Sequence, residues 1–469
     1  MAAPDRRLQL SRDAMRDLGY RVVDLLVEHL ETLREKPVMP RYDVGPALTA
    51  DFPEQGAPPD QVLREAEREI LGRMMHVTHP RFFAFVPGPG NFVGAMAEAL
   101  AAGFNVFAGT WLEGPGPAAA ELATVDWLRG VCGFPETTRG LFVSGGSVAN
   151  LTALAVARRF RLEDSVAGAV VYYSDQTHSA VPRALRVLGF ATDQLQALPA
   201  DESCRLPVAA LARRVEQDRC AGRRPFCVIA NAGTTNTGAV DPLEELAELC
   251  ARQDLWLHVD GAYGAAAALS GRGRALLGGM ERADSLALDP HKWLFQPFEM
   301  GCVLVRDGAL LRDTFRILPE YLQDVHRRER FNFCDHGIQL SRSLRALKLW
   351  MSLRVFGVAA FREAIEWGFT LAEKAEARLR RNPLWEILTP AQMAIVSFRG
   401  RPPGVADAEL DRWNQALVEA VLADGYTALT STVLGGRTAL RMCTINPRTT
   451  EGDIEDAIGR LESLAAHVG

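Results

Sequence analysis

Lysine is nearly missing from this chain. It occurs only at positions 36, 292, 348 and 374, although arginine is abundant. Three of the four sit in charged, helix-patterned segments (Arg34-Glu35-Lys36, Arg345-Ala346-Leu347-Lys348, Ala372-Glu373-Lys374) and read as solvated faces. Long apolar runs are missing too: the longest uncharged stretch, residues 140–157, is broken by Ser144-Gly145-Gly146-Ser147, so no membrane span is expected. The N-terminus, Met1-Ala2-Ala3-Pro4-Asp5-Arg6-Arg7, runs into charged helical sequence without an apolar signal core, so the cytoplasm is the expected location. No dense basic run occurs and the net charge is −6, which argues against a nucleic-acid partner. The eight cysteines (132, 204, 220, 227, 250, 302, 334, 443) show neither CxxC nor His-rich spacing. They support neither a metal site nor a disulfide framework, and read as thiols in a reducing compartment.

What is present is ordinary for a globular protein: 469 residues, 48% hydrophobic and 23% charged. That length requires two or three packed units. Residues 11–35 carry apolar positions at helical spacing, with Ser11 as N-cap and Lys36-Pro37 as the end. Pro37 to Pro59, with Pro40, Pro46, Pro53 and Pro58, reads as an extended arm. A helix followed by an arm has little core of its own. It needs another subunit or the chain's own large domain to pack on.

From about residue 80 the texture changes. A turn at Pro87-Gly88-Pro89-Gly90-Asn91 precedes a small-residue helix, Phe92–Ala102. Short apolar runs then alternate with helical patterns: Gly140–Val143, Ala169–Tyr173, Phe226–Ala230, Leu255–Val259, Asp284–Leu288 and Gly301–Val305. This predicts an α/β fold around a mostly parallel sheet covered on both faces. In such sheets ligands bind beyond the carboxyl ends of the strands. The final third alternates strands (Ala394–Phe398, Ala439–Ile445) with helices (Asp407–Asp424, Glu451–His467) and reads as a smaller α/β domain. The expected division is an N-terminal helical arm over 1–85, a large domain over 86–355 and a small domain over 356–469.

Five segments follow predicted strands. Ser144-Gly145-Gly146-Ser147 is a glycine turn opening a helix, whose free amides can take an anion. It matches neither GxGxxG nor the P-loop, so no nucleotide is implied. Asp175-Gln176-Thr177-His178-Ser179 offers an imidazole to a planar ligand. Asn231-Ala232-Gly233-Thr234-Thr235 offers hydroxyls and amides. His258-Val259-Asp260-Gly261-Ala262-Tyr263 ends a buried strand on an acid. Asp289-Pro290-His291-Lys292-Trp293 sets a lysine among apolar and aromatic neighbours, where a desolvated amine can form a Schiff base. Each has a plainer reading: a strand-to-helix turn, a capped loop residue, a helix cap, a snorkelling surface lysine. Together they match one ligand, a phosphorylated pyridine aldehyde. Lys292 takes the aldehyde, Asp260 keeps the ring nitrogen protonated, and Gly146 and Ser147 take the phosphate, as for pyridoxal 5'-phosphate.

These segments resemble the group II pyridoxal-phosphate amino-acid decarboxylases, with the aromatic-L-amino-acid decarboxylases as the nearest branch. The similarity runs from about residue 11 to 465. It implies a type I fold with a seven-stranded large-domain sheet, and a homodimer with active sites at the interface. It implies further that His291 supports Lys292, Ala262 packs beneath the ring, His178 stacks above it and Thr235 orients the substrate carboxylate or cofactor. Asp289 stands where some relatives have Asn, so its phosphate contact is expected through the backbone only. Gly88 stands where a relative's Thr contacts cofactor and substrate. Phe107 and Trp111 match a segment lining the partner subunit's pocket. Val77 stands where the aromatic branch tends to carry a large ring.

One departure bears on the product. Family members carry, in a loop between the positions of Tyr321 and Arg345, a Tyr that reprotonates the α-carbon after CO2 leaves. Leu322–Leu344 contains no Tyr. Ungapped alignment back from Arg345-Ala346-Leu347-Lys348 puts Phe333 there, with His336 as a nearby substitute. Either His336 or a water protonates the carbon and an amine forms, or the carbanion meets O2 and yields an aldehyde, ammonia and peroxide. Another pyridoxal-phosphate lyase or aminotransferase on the same fold is the further alternative, and a cofactor-binding protein without lyase activity the last.

Overall fold

A computed structural model describes residues 8–40, 48, 51–317, 320, 324 and 330–468. Tyr321, Pro46 and the first seven residues, named above, lie outside the described residues. Seven strands form the large sheet: β1 (Arg139–Val143), β2 (Ala169–Ser174), β3 (Leu195–Leu198), β4 (Arg224–Asn231), β5 (Trp256–Asp260), β6 (Ser285–Leu288) and β7 (Gly301–Val305). Their order is β1-β7-β6-β5-β4-β2-β3. β7 runs antiparallel to both β1 and β6, and the other neighbours are parallel. Six strands therefore point the same way, and their carboxyl ends share one edge.

The strands are legible because the sheet is buried on both faces. Val170 and Tyr172 join one apolar cluster, whereas Ala169, Val171 and Tyr173 join the cluster on the opposite face. Each such fully buried aliphatic side chain contributes about 1.5–3 kcal/mol of transfer free energy. That sum ties the strand ends to a rigid frame.

A second sheet, antiparallel throughout, has the order β10-β11-β9-β8, from β8 (Trp385–Gln392), β9 (Ile395–Gly400), β10 (Thr430–Leu434) and β11 (Arg437–Cys443). The helices Ala346–Leu379, Leu410–Asp424 and Glu451–Ala465 pack on it through Leu371, Leu417 and Ile458 among others. The long helix Ala346–Leu379 breaks at Gly357, whose φ of 76° no other residue type adopts readily.

The arm packs on this second sheet. Val38 N donates to Gly425 O at 2.8 Å, Phe83 N to Ala428 O at 2.8 Å, and Arg34 Nη1 to Asp453 at 2.6 Å. The helix Arg12–Glu31, capped by Ser11, has no buried residue, and Met15, Val22, Val23 and Val27 are exposed.

One expectation needs correcting here. Lys348 does not lie on a solvated face: it is buried, its Nζ 2.8 Å from Glu98 Oε2 and 2.9 Å from Glu299 O. Partners about fifty or more residues away compensate the buried ammonium, which local patterning cannot show. Among the described residues, no helix is long and apolar enough to cross a membrane.

Candidate active site

A cavity of about 360 Å³ opens at the carboxyl ends of the parallel strands. Gly146, Ser147, His178, Thr235, Asp260, Ala262, Asp289, His291 and Lys292 all line it, and Asn150, Tyr263 and Glu299 join them. The sheet brings them together because each follows a strand of the same direction.

The glycine turn comes first. The helix Gly146–Leu162 begins without a side-chain cap, so its first amides are available to an anion. A Cβ on Gly146 would lie 2.9 Å from Asp289 Oδ2 and 3.1 Å from Ala262 Cβ, so only glycine keeps this cradle open.

Asp260, at the end of β5, is buried. Ala262 N donates to its Oδ1 at 3.1 Å and Asn150 Nδ2 to its Oδ2 at 3.0 Å. An ionised carboxylate has further lone pairs, and those facing the cavity can accept from a protonated ring nitrogen.

Lys292 follows β6. Its side chain keeps a quarter of its surface exposed, and Nζ lies 2.9 Å from Asp289 Oδ2. The expected desolvated amine is thus half-sheltered and ion-paired. Asp289 cannot contact a phosphate through its own amide, which donates to Ala262 O at 2.7 Å. The backbone contact expected for it is therefore replaced by a side-chain pair with Lys292. The remaining oxygen, Oδ1, is buried without a hydrogen-bond partner.

Two histidines flank the amine. Burial pulls His291 below its ordinary range, and its Nδ1 accepts from Met300 N at 3.1 Å. Burial also lowers His178, against the pull of Asp260, and its Nδ1 accepts from Ala180 N at 3.2 Å. Both rings are neutral near pH 7 and can face an aromatic ligand without adding charge.

The other candidates lie elsewhere in the protomer. Gly88 is roofed by Phe298: a Cβ there would meet the ring at 2.5 Å, so the contact a Thr makes has been replaced by aromatic packing. Val77 packs beside Val38, Phe82 and Ala84, in the arm. Phe107 lies against Gly109, and Trp111 N donates to Asn332 Oδ1 at 2.9 Å. Phe333 is buried beneath the Arg342 guanidinium, 4.7 Å from its ring centre. His336 is buried too, stacked at 3.9 Å on Phe331, with Nδ1 2.8 Å from Asn332 O. Neither lines the Lys292 cavity of its own protomer. Sequence reading gave no role to Asn150, His258, Ser285 or Glu299.

An amide cradle, a carboxylate with free lone pairs and a primary amine on one cavity fit the phosphate, ring nitrogen and aldehyde of pyridoxal phosphate. Residues 40–401 match the family model described as the pyridoxal-dependent decarboxylase conserved domain. The chain is 49% identical over 467 residues to an aromatic-L-amino-acid decarboxylase of Bacillus atrophaeus, covering 98% of this chain and 97% of that one. Its structure is similar to that of Oryza sativa TDC with PLP and tryptamine, at a TM-score of 0.93 and 30% identity, covering 98% and 99% of the two chains. It is also similar to Rhodiola rosea 4-hydroxyphenylacetaldehyde synthase, at a TM-score of 0.90 and 26% identity, covering 98% and 100%. The chain belongs to the pyridoxal-dependent decarboxylases: it is a carboxy-lyase whose cofactor is pyridoxal 5'-phosphate.

Proposed function

We propose that this enzyme removes the α-carboxylate of an L-amino acid with an aromatic side chain. The observation that carries the reading is the convergence of Lys292, Asp260 and the 145–146 turn on one cavity. The names of the bacterial relative and of the tryptamine-bound structure support the aromatic class.

When bound, the cofactor supplies a ring that withdraws electrons from the α-carbon as CO2 leaves. The chain's own residues do the rest. Lys292 holds the aldehyde, with His291 beside it, and Asp260 holds a proton on the ring nitrogen. Gly146 and Ser147 would hold the phosphate, and Ala262 and His178 would pack against the ring. Thr235 orients the substrate carboxylate. Neutral His178 and His291 exclude water from the reacting bond without stabilising the carboxylate to be lost.

Two protomers assemble, in this reading, through the exposed apolar face of the helix Arg12–Glu31. Phe107 and Trp111 then line the partner's substrate pocket, next to Val77 and Gly88. Eight cysteines, all free, suit the reducing cytoplasm.

A second reading is favoured by Phe333. A phenyl ring has no proton to give, so unless His336 or a water supplies one, the electron pair left at the α-carbon when CO2 departs would pass to O2. O2 would then be reduced to hydrogen peroxide, and hydrolysis by one water would release an aldehyde and ammonia. One experiment separates the two. The holoenzyme is incubated with Phe, Tyr, Trp and dopa while CO2, amine and peroxide are followed. Stoichiometric amine without peroxide supports the simple decarboxylase; aldehyde with peroxide supports the oxidative course; no CO2 from any of them refutes the aromatic assignment. Lys292→Ala should abolish the visible absorption of the bound cofactor.

A further inference from the structure

From Asn150, which lines the cavity beside Asp260, a line of buried polar side chains runs into the protein interior. Asn150, whose Nδ2 donates to Asp260, has its Oδ1 2.7 Å from His258 Nε2. His258 Nδ1 is 2.9 Å from Ser285 Oγ, and Ser285 Oγ is 2.9 Å from Trp256 Nε1. All four are buried, and they come from the helix after the glycine turn and from the adjacent strands β5 and β6.

Chemistry at the two ends fixes the direction. An indole N–H can only donate, and a carboxylate can only accept. Asn150 must therefore turn its NH2 toward Asp260 and its carbonyl oxygen toward His258, whose Nε2 carries the hydrogen. Burial pulls His258 down to about 4, so the ring is neutral and its Nδ1 bare. Ser285 accepts from Trp256 and donates to that nitrogen. Every polar hydrogen along the line points at Asp260.

We propose that Trp256, Ser285, His258 and Asn150 form a one-way hydrogen-bond chain that holds the Asp260 carboxylate in place and directs its charge into the cavity. The chain supplies aligned dipoles but no positive charge. A cationic histidine in its place would neutralise the carboxylate from behind; neutral donors stabilise the anion and leave it for a cation in front. The neutral tautomer of His258 also stops Asn150 from flipping, which would set a carbonyl oxygen against the carboxylate. Of the other titratable groups near Asp260, His178 and Lys292 stand on the cavity side. The four are positioning residues, and the proposal rests on the reading above that Asp260 faces the ring nitrogen.

The test uses apo-protein titrated with pyridoxal phosphate and with its 1-deaza analogue, in which CH replaces the ring nitrogen. Wild type should bind the natural cofactor more tightly. Ser285→Ala and Asn150→Leu should each reduce that preference about tenfold, the low end of what outer-shell partners cost. Ser285→Thr, which keeps the hydroxyl, should restore it. A purely structural role would weaken both ligands equally and leave the ratio unchanged, and that result in a folded Ser285→Ala protein overturns the proposal. A wild type that binds both ligands equally overturns the Asp260 reading, and the chain with it.

Discussion

Asp289 Oδ2 and Lys292 Nζ lie 2.9 Å apart, one helical turn from each other in sequence, on the rim of the anion cradle at Gly146. The same oxygen is 3.7 Å from His291 Nε2, and the carboxylate's other oxygen has no hydrogen-bond partner. This acid therefore balances the amine while opposing any anion in the cradle. Two like charges at such range repel by ~1 kcal/mol even in water, and more in a less polar site.

Asp289→Asn keeps the shape and removes that repulsion. The cofactor dissociation constant, measured by absorbance titration of apo-protein, should fall roughly fivefold, the equivalent of ~1 kcal/mol. An unchanged or larger constant would show that the pair with Lys292 matters more than the repulsion.

Gly88 and Phe298 share one space. The Phe298 ring occupies what a side chain at 88 would need, and lies tilted against His291 with ring centres 4.8 Å apart. Gly88→Thr should therefore raise KM for aromatic substrates about tenfold by displacing that ring. Combined with Phe298→Ala the penalty should shrink, because the two changes relieve each other. Strict additivity of the two effects on KM would disprove the coupling.

His79 supplies a pH dependence. It is wholly buried, its Nδ1 accepts from Arg81 N at 3.0 Å, and its Nε2 has no partner, so a second proton would find no acceptor. Burial first, then Arg81, pulls it from 6.5 to about 4. The unfolded chain thus binds more protons between those values, and stability falls as pH drops through that window. The difference corresponds to on the order of 3 kcal/mol. Urea midpoints measured between pH 7 and 4 should decline, and His79→Gln should flatten the slope.

Phe333 supplies a stability test. Its ring is buried beneath Arg342, whose guanidinium also pairs with the buried Glu121 and reaches Phe142 O at 2.6 Å. Phe333→Ala should cost about 3–5 kcal/mol of unfolding free energy. A loss below ~1 kcal/mol, read from urea unfolding, would mean that the segment is not packed in this way in solution.

How much was legible beforehand follows from the range of the interactions. The central strands could be read because burial on both faces makes them short, uniformly apolar runs, as in Ala169–Tyr173. β3, only partly buried as Leu-Gln-Ala-Leu, and β8, with Glu386, Thr389 and Pro390, were not picked out: partial exposure leaves polar residues that hide the pattern. Lys292, Asp260 and the glycine turn were legible because each pairs an unusual residue with a strand end.

The sequence by itself determined the fold class and the family, and singled out Lys292 as a candidate, all from side chains adjacent along the chain. Only the tertiary structure decided which groups meet: Asn150 with Asp260 across 110 positions, Lys348 with Glu98, Phe298 over Gly88 and Phe333 under Arg342. Local propensity fixes where a strand ends. The compensation of a buried charge or donor depends on which distant partner the packing of two sheets brings within 3 Å, and no short window of sequence contains that partner.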